Sequence, residues 1–125
     1  RQEIVLVASL VDKAPNLGGL ARTCEVFQAA ALVVNDIRIV KDSVFKSLSM
    51  TAEMWVPIME VQEKDLEHYL KRKRGQGYAL VGVEQTTNSV KLGAFNFPRK
   101  SVVLLGREKE GIPASLLHLM VSYAC

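Results

Sequence analysis

Cysteine and histidine are scarce in this sequence, with two of each among 125 residues. Cys24 and Cys125 belong to no CxxC pair, and His68 and His118 stand apart from both. This spacing argues against a structural zinc site. Two unpaired thiols are typical of a reducing compartment, which predicts a cytoplasmic or nuclear protein. Long apolar runs are missing too, since none approaches the roughly 20 residues of a membrane-spanning helix, so we expect no membrane partner.

The remaining composition is typical of a folded globular domain. Hydrophobic residues make up 49% of the chain and charged residues 23%, and this length suffices for one domain with its own core. The net charge of +3 and the pI near 9.0 permit an anionic partner without requiring one. The sequence starts at Arg1 without a methionine or a signal-peptide pattern. We therefore expect residues 1–125 to be one domain of a longer chain.

Apolar runs alternate with helical patterns along the chain. Continuous apolar strands separated by helices indicate a parallel sheet covered on both faces, that is, an α/β/α layered domain. The predicted strands are 4–8, 31–34, 57–61, 78–83 and 101–105, with an extended piece at 37–40 and an unfinished element from 121. The predicted helices are 16–30, 42–48, 63–76 and 113–119. Ligands bind beyond the carboxyl ends of the strands in such sheets, so candidate residues are those that follow each strand.

The segment from Asn16 to Arg22 opens the first predicted helix, with Asn16 as its cap. Arg22 points away from the apolar stripe of this helix, and Gly18 lies one turn earlier on the same face. A glycine in a helix costs roughly 1 kcal/mol relative to alanine, which close approach by another group would justify. Two interpretations remain open. One is a helix start with an exposed arginine, and the other is a bare helix N-terminus that receives an anion beside Arg22.

A second candidate segment runs from Gly106 to Gly111, between a buried strand and a helix that Pro113 opens. It matches neither GxxxxGK[ST] nor GxGxxG, which disfavours a P-loop or a dinucleotide-binding domain. It is either a tight turn with a solvated charge cluster or a loop whose backbone grips a small polar ligand. In the second case Glu108 would be a fixed carboxylate.

Together the two segments resemble the SpoU branch of the SPOUT RNA methyltransferases. The first reads N-x-G-x-x-x-R-T and the second L-L-G-x-E-x-x-G-I-P. The stretches VLVASLVDKAPNLGGLARTCEVF, GVEQTTNS and LLGREKEGIPASL are similar, more narrowly, to eukaryotic tRNA guanosine 2′-O-methyltransferases. The resemblance extends from Ile4 to about Leu119.

The resemblance implies S-adenosylmethionine as cofactor, RNA and specifically tRNA as substrate, and a homodimer whose active site is shared. It assigns Asn16 and Arg22 to the first motif, with Arg22 as the catalytic arginine acting toward the cofactor of the partner chain. It assigns Gly106, Glu108 and Gly111 to the second motif, and the catalytic set becomes Arg22, Asn16 and Glu108. Backbone atoms near Val83, Glu84 and Gly106, with Gly111, would hold the cofactor, and no metal is implied.

The third motif of that family, I-P-x-x-G followed by S-L-N and a helix, has no counterpart here, because after Leu119 the sequence reads MVSYAC. In the family this piece forms the second wall of the cofactor pocket, the knot-threading helix and much of the dimer interface. We therefore expect a SPOUT fold without its C-terminal knot-forming segment, and we expect these residues alone to bind the cofactor weakly or not at all and to be catalytically inactive. The alternative function is a catalytically inactive RNA-binding or dimerisation module.

A basic run, Lys71-Arg72-Lys73-Arg74, ends the third predicted helix. It is interpreted either as a solvated face that complements the helix dipole or as a contact to tRNA phosphates. The sequence alone leaves both open.

Overall fold

The computed structural model describes residues 2–84 and 97–124, with only the backbone of residues 122–124. Six strands form one sheet in the order β3-β2-β1-β5-β4-β6, and every pairing in it is parallel. The strands are β1 (Glu3–Val7), β2 (Ala31–Val34), β3 (Ile58–Glu60), β4 (Ala79–Val83), β5 (Lys100–Leu105) and β6 (Ser122–Ala124). The helices are α1 (Ala14–Val26), α2 (Ser43–Ser49), α3 (Leu66–Gly75) and α4 (Ala114–Leu117).

Buried residues alternate between the two faces of the sheet. Leu6 joins a cluster with residues of α1 and α2, such as Leu20 and Phe45. Val7 joins a second cluster with residues of α3 and α4, such as Leu66 and Leu116. Since side chains alternate along a strand, consecutive apolar residues are required where both faces are covered. The α/β/α layered architecture predicted from the sequence is confirmed.

The direction of strand addition reverses at the centre of the sheet. β1 pairs with β2 on one side and with β5 on the other, so that Leu6 lies opposite both Leu32 and Val103. The loops that follow β1 and β5 therefore leave the same edge next to each other. Such a switch point is where parallel α/β sheets bind ligands.

Besides shifts in helix bounds, such as α1 at Ala14–Val26 for the predicted helix 16–30, three predicted elements differ in type from the observed ones. Residues Ile37–Lys41 form a 3-10 turn instead of an extended piece, because the Asp36 carboxylate accepts the Arg38 amide at 2.9 Å and starts a turn. The predicted helix 63–76 begins as a 3-10 turn, Glu63–Asp65, before α3. The element from residue 121 is strand β6, which pairs with β4 at the sheet edge.

The short helix α2 follows its prediction closely. The Asp42 carboxylate accepts hydrogen bonds from the amides of Val44 and Phe45 at 2.8 and 3.0 Å, so Asp42 is the N-cap of α2. Within residues 2–84 and 97–124, no helix has the length and apolar character needed to span a membrane.

Candidate active site

Helix α1 begins two residues earlier than the sequence predicted. Its N-cap is Lys13, whose carbonyl accepts the Leu17 amide at 3.0 Å, and Pro15 lies in the first turn. Proline fits there because the first amides of a helix have no intrahelical partner. The prediction that Asn16 caps the helix was wrong, and Asn16 instead lies within the first turn, half-buried.

Gly18 is buried between α1 and α2. A Cβ atom built on it would lie 2.6 Å from the Phe45 carbonyl oxygen and 3.0 Å from Leu48 Cβ. The backbone of α2 thus occupies the space that a side chain at position 18 would require. The expectation that Gly18 permits close approach by another group is confirmed, but Gly18 is buried under α2, whereas Arg22 is exposed. Gly19, in contrast, has no described atom within 4 Å of its Cβ position.

Arg22 is exposed on α1, away from the apolar stripe, as predicted. One terminal nitrogen, Nη1, lies 3.6 Å from Glu25 Oε1. That oxygen is buried and accepts no hydrogen bond from the described residues, so the ion pair is the contact that balances its charge. Helix α1 starts near the carboxyl edge of the sheet and runs toward the opposite edge. Arg22 lies eight residues after the first residue of α1, which is about 12 Å along the helix axis.

The loop after β5 is closed by its own backbone. The amide of Arg107 donates to the Gly111 carbonyl at 2.8 Å, and the amide of Gly111 donates back at 3.0 Å. Gly111 has φ +70°, a conformation that favours glycine. A Cβ on Gly106 would lie 2.7 Å from the Gly111 carbonyl carbon. Both glycines are therefore explained by this turn, and the predicted glycine-bounded tight turn is confirmed.

Arg107 ties this loop to the neighbouring one. Its guanidinium pairs with the Glu63 carboxylate and lies 3.9 Å from that of Glu110. The amide of Glu63 is in turn held by Asn35 Oδ1 at 2.8 Å. Arg107 carries no assigned role in the motif. Its partner is 44 residues away in the sequence, so no local pattern could have indicated this contact.

The two sequence motifs meet in a cleft at the carboxyl edge of β1 and β5. The cleft has a volume of about 190 Å³, and Asn16 and Glu108 both line it. Lys13 Nζ lies 3.4 Å from Glu108 Oε2 across it, with 66% and 51% of the two side chains exposed. An ion pair this exposed contributes little to stability. Because both side chains are exposed, their charges are accessible to a ligand. Arg22 does not line this cleft.

Val83 and Gly106 are joined at the ends of β4 and β5. The Gly106 amide donates to the Val83 carbonyl at 3.0 Å. Val83 is buried, whereas Glu84, which follows it, is exposed. The remaining part of the GVEQTTNS stretch, from Gln85 on, lies outside the described residues. The sequence prediction thus placed three candidate residues correctly at adjacent strand ends.

Comparison with known proteins agrees with this arrangement of motifs. The model of the SpoU rRNA methylase family matches residues 3–124. The chain belongs to the SpoU rRNA methylase family. A mouse protein named tRNA (guanosine(18)-2′-O)-methyltransferase TARBP1 is 53% identical over 114 residues, which are 91% of this chain and 7% of that protein. A Saccharomyces cerevisiae tRNA (guanosine(18)-2′-O)-methyltransferase is 47% identical over 118 residues, 94% of this chain and 8% of that protein. The chain thus spans less than a tenth of the length of these relatives.

Solved structures of SpoU proteins share the fold. The TrmH/SpoU tRNA modifying enzyme of A. aeolicus superposes with a TM-score of 0.76 at 17% identity, covering 100% of this chain and 62% of that one. The SpoU methyltransferase AviRb from Streptomyces viridochromogenes, in complex with AdoMet, gives a TM-score of 0.70 at 19% identity, covering 99% and 48%. At these identities the likeness establishes the common architecture.

Proposed function

We propose that residues 1–125 belong to a domain that, in the full-length protein, transfers a methyl group from S-adenosylmethionine to a ribose 2′-hydroxyl of RNA, specifically a guanosine of tRNA. The observation that carries the proposal is the meeting of Asn16 and Glu108, from two distant motifs, in one cleft at the topological switch point. The names of the mouse and yeast relatives support the substrate class. Transfer RNA occurs in the cytoplasm and the nucleus, which are also the reducing compartments that the two unpaired thiols favour.

The carboxyl edge fits S-adenosylmethionine. The bonded ends of β4 and β5 offer backbone of Val83 and Gly106 side by side, and the exposed Glu84 adds polar groups next to them. We assign these three residues to hold the cofactor, while Gly111 fixes the loop that borders it. When bound, the cofactor supplies the electrophilic methyl group, and the residues of this chain position the ribose.

Arg22 acts on the substrate in this proposal. The ribose oxygen must lose its proton as it takes the methyl group, and a guanidinium at neutral pH holds its own proton too firmly to act as a base. Arg22 therefore orients an RNA phosphate and stabilises the developing alkoxide electrostatically. Asn16 and Glu108 provide the polar wall of the cleft beside the reacting ribose.

A homodimer completes the proposed site. Arg22 lies about 12 Å along α1 from the first residue of that helix and does not line the cleft that contains Glu108. A symmetric pair of chains can bring Arg22 of one subunit to the strand ends of the other. The exposed position of Arg22 on α1 is compatible with that arrangement.

The role of Arg22 can be tested by substitution in the full-length protein. We expect Arg22→Ala to lower kcat by about 10²–10³, the usual loss when one electrostatic contact to a developing oxyanion is removed. Arg22→Lys should also be clearly impaired, because lysine lacks the planar fork. Arg38→Lys, on an arginine side chain that is 85% exposed, is the matched control. Near-normal turnover of Arg22→Lys would exclude any role for a bidentate guanidinium.

Mixing two inactive variants tests the shared site. Arg22→Ala removes the guanidinium, and Gly106→Ala forces a Cβ against Gly111 and distorts the cofactor loop. After the subunits exchange at equal amounts, half of the dimers are mixed, and each has one intact site. We therefore expect about a quarter of the wild-type activity to return. No recovery in verified mixed dimers would contradict a site built from two chains.

A further inference from the structure

Six of the 16 basic residues lie along the opposite edge of the sheet, where the strands begin. Helix α3 runs back from the carboxyl edge, so its final residues lie at the amino edge next to the start of β4. The chain turns there through Gly77, at φ +94°. Arg99 and Lys100, at the start of β5, lie along the same edge. We call the six residues Lys71–Arg74, Arg99 and Lys100 the basic edge.

The basic edge carries as much net positive charge as the whole protein. Its six cations are accompanied by three carboxylates, those of Glu3, Glu25 and Glu67, which leaves an excess equal to the net +3 of the chain. The remainder of the molecule is therefore close to neutral. Favourable interaction with the helix dipole accounts for cations in the last turn of α3. It does not account for Lys100, which belongs to a strand.

Tyr78 holds part of the basic edge in position. The Lys73 ammonium lies 4.8 Å from the centroid of the Tyr78 ring, and that of Lys100 lies 4.6 Å from it. Lys100 Nζ also donates to the Gln76 carbonyl at 2.9 Å. The Tyr78 hydroxyl donates to the Glu3 carboxylate, which fixes the ring. Cations restrained in this way lose less conformational entropy when they bind an anion.

An open cleft of about 740 Å³ continues the basic edge beneath β1 and β2. Arg99 lines it together with the carboxylates of Glu3 and Glu25 and the amide side chains of Gln2 and Gln28. Trp55 also lines it, with 72% of its surface exposed. An exposed indole beside amides and a guanidinium is the set of groups that stacks on an unpaired base and hydrogen-bonds to its edge.

We infer that the amino edge of the sheet is a second RNA-contact surface, where the basic edge binds backbone phosphates and Trp55 stacks on an unpaired base. A strand of five residues is about 17 Å long, so a nucleotide here is not the one methylated at the carboxyl edge of the same chain. The inference rests on the proposed function for its ligand, RNA. It adds a site that positions the substrate without touching the reacting atoms.

The salt dependence of RNA binding tests the basic edge. In the full-length protein, Arg72→Gln, Arg74→Gln and Lys100→Gln are combined, and binding of an unmodified tRNA transcript is measured over a range of salt concentrations. If each cation contacts a phosphate, the slope of log K against log salt should become shallower by about 2. Lys41→Gln, Lys46→Gln and Lys64→Gln, three exposed lysines elsewhere, remove the same charge and should leave the slope nearly unchanged. Equal slopes for both triple variants would overturn the inference.

Trp55→Ala tests the base-stacking part and identifies the other possible occupant. We expect RNA affinity to fall by about 5- to 100-fold, the usual loss for one stacked base. The oligomeric state, measured as the molar mass of the protein in solution, should stay the same. A change in oligomeric state with unchanged RNA affinity would show that a second copy of the chain covers Trp55. Because the readout is affinity, a protein that binds through this edge but methylates nothing would refute the proposed function alone. A protein that methylates with an unaltered salt slope would refute this inference alone.

Discussion

The two adjacent glycines of α1 give a matched pair of substitutions with opposite expected effects. Gly18→Ala and Gly19→Ala make the same chemical change one residue apart in the same helix. A Cβ at Gly18 meets the Phe45 carbonyl oxygen at 2.6 Å and Leu48 Cβ at 3.0 Å. Neither atom is the free end of a flexible side chain, so α2 has to move as a unit. A Cβ at Gly19 meets no described atom within 4 Å.

The magnitudes follow from helix propensity and overpacking. Alanine in place of glycine within a helix stabilises by about 1 kcal/mol, and this gain applies to both variants. At Gly18 the forced displacement of α2 costs about 1–3 kcal/mol. Gly19→Ala should therefore be more stable than the parent protein. Gly18→Ala should be about 1–3 kcal/mol less stable than Gly19→Ala.

Thermal and denaturant unfolding of both variants provides the assay. For a domain of this size, 1 kcal/mol corresponds to roughly 4 °C in Tm, so the two midpoints should differ by roughly 4–12 °C. The unfolded state changes equally in both variants, so the difference reports the native contact with α2. Equal midpoints for Gly18→Ala and Gly19→Ala would refute the conclusion that Gly18 exists for this packing.

Three further predictions concern single side chains. Burial raises the pKa of the Cys24 thiol to about 12, so in a Cys125→Ser background a thiol reagent at pH 8 should react only at the rate of unfolding, and rapid labelling would contradict the buried position. Asp42→Ala should destabilise by about 1 kcal/mol in denaturant unfolding, because two α2 amides lose their acceptor, and an unchanged midpoint would argue against the cap. Arg38 lowers the pKa of Asp36 to about 2. The Asp36–Arg38 pair therefore stabilises the fold at pH values above the pKa that Asp36 has in the unfolded chain. This stabilisation is lost as the pH falls toward 2. NMR titration should show the pKa of Asp36 raised in Arg38→Ala, with part of the shift retained because the amide of residue 38 still donates to the carboxylate, and an unmoved midpoint would exclude the Arg38 side chain as a cause.

The strands were predictable because their apolar runs leave few alternatives. A strand buried on both faces needs an unbroken apolar run, and the five predicted runs became β1, β2, β3, β4 and β5 with bounds that differ by at most a residue or so. β6 was not predicted as a strand, since nothing in its sequence shows that β4 offers it an edge. Pairing partners at the centre of the sheet are decided by packing over long sequence distances.

The candidate site was predictable as a set of positions but not in its internal contacts. The prediction that both motifs follow strands at one edge was correct, and Asn16 and Glu108 share a cleft. The group that approaches Gly18 could not be named from the sequence, because helical spacing cannot show that α2 crosses there. Helix α1 starts earlier than predicted because Pro15 occupies the first turn better than Asn16 caps it. Motif spacing thus located the candidate cleft, and tertiary packing decided what each glycine does.

Direct detection of the modified nucleotide is the most decisive measurement for the proposed function. The full-length protein that contains this domain is incubated with S-adenosylmethionine and an unmodified tRNA transcript, and the digested RNA is examined by mass spectrometry. We expect 2′-O-methylguanosine with the wild-type protein and its near absence with Arg22→Ala. Bound but unmethylated RNA with the wild-type protein, or equal amounts of product with Arg22→Ala, would contradict the proposed function.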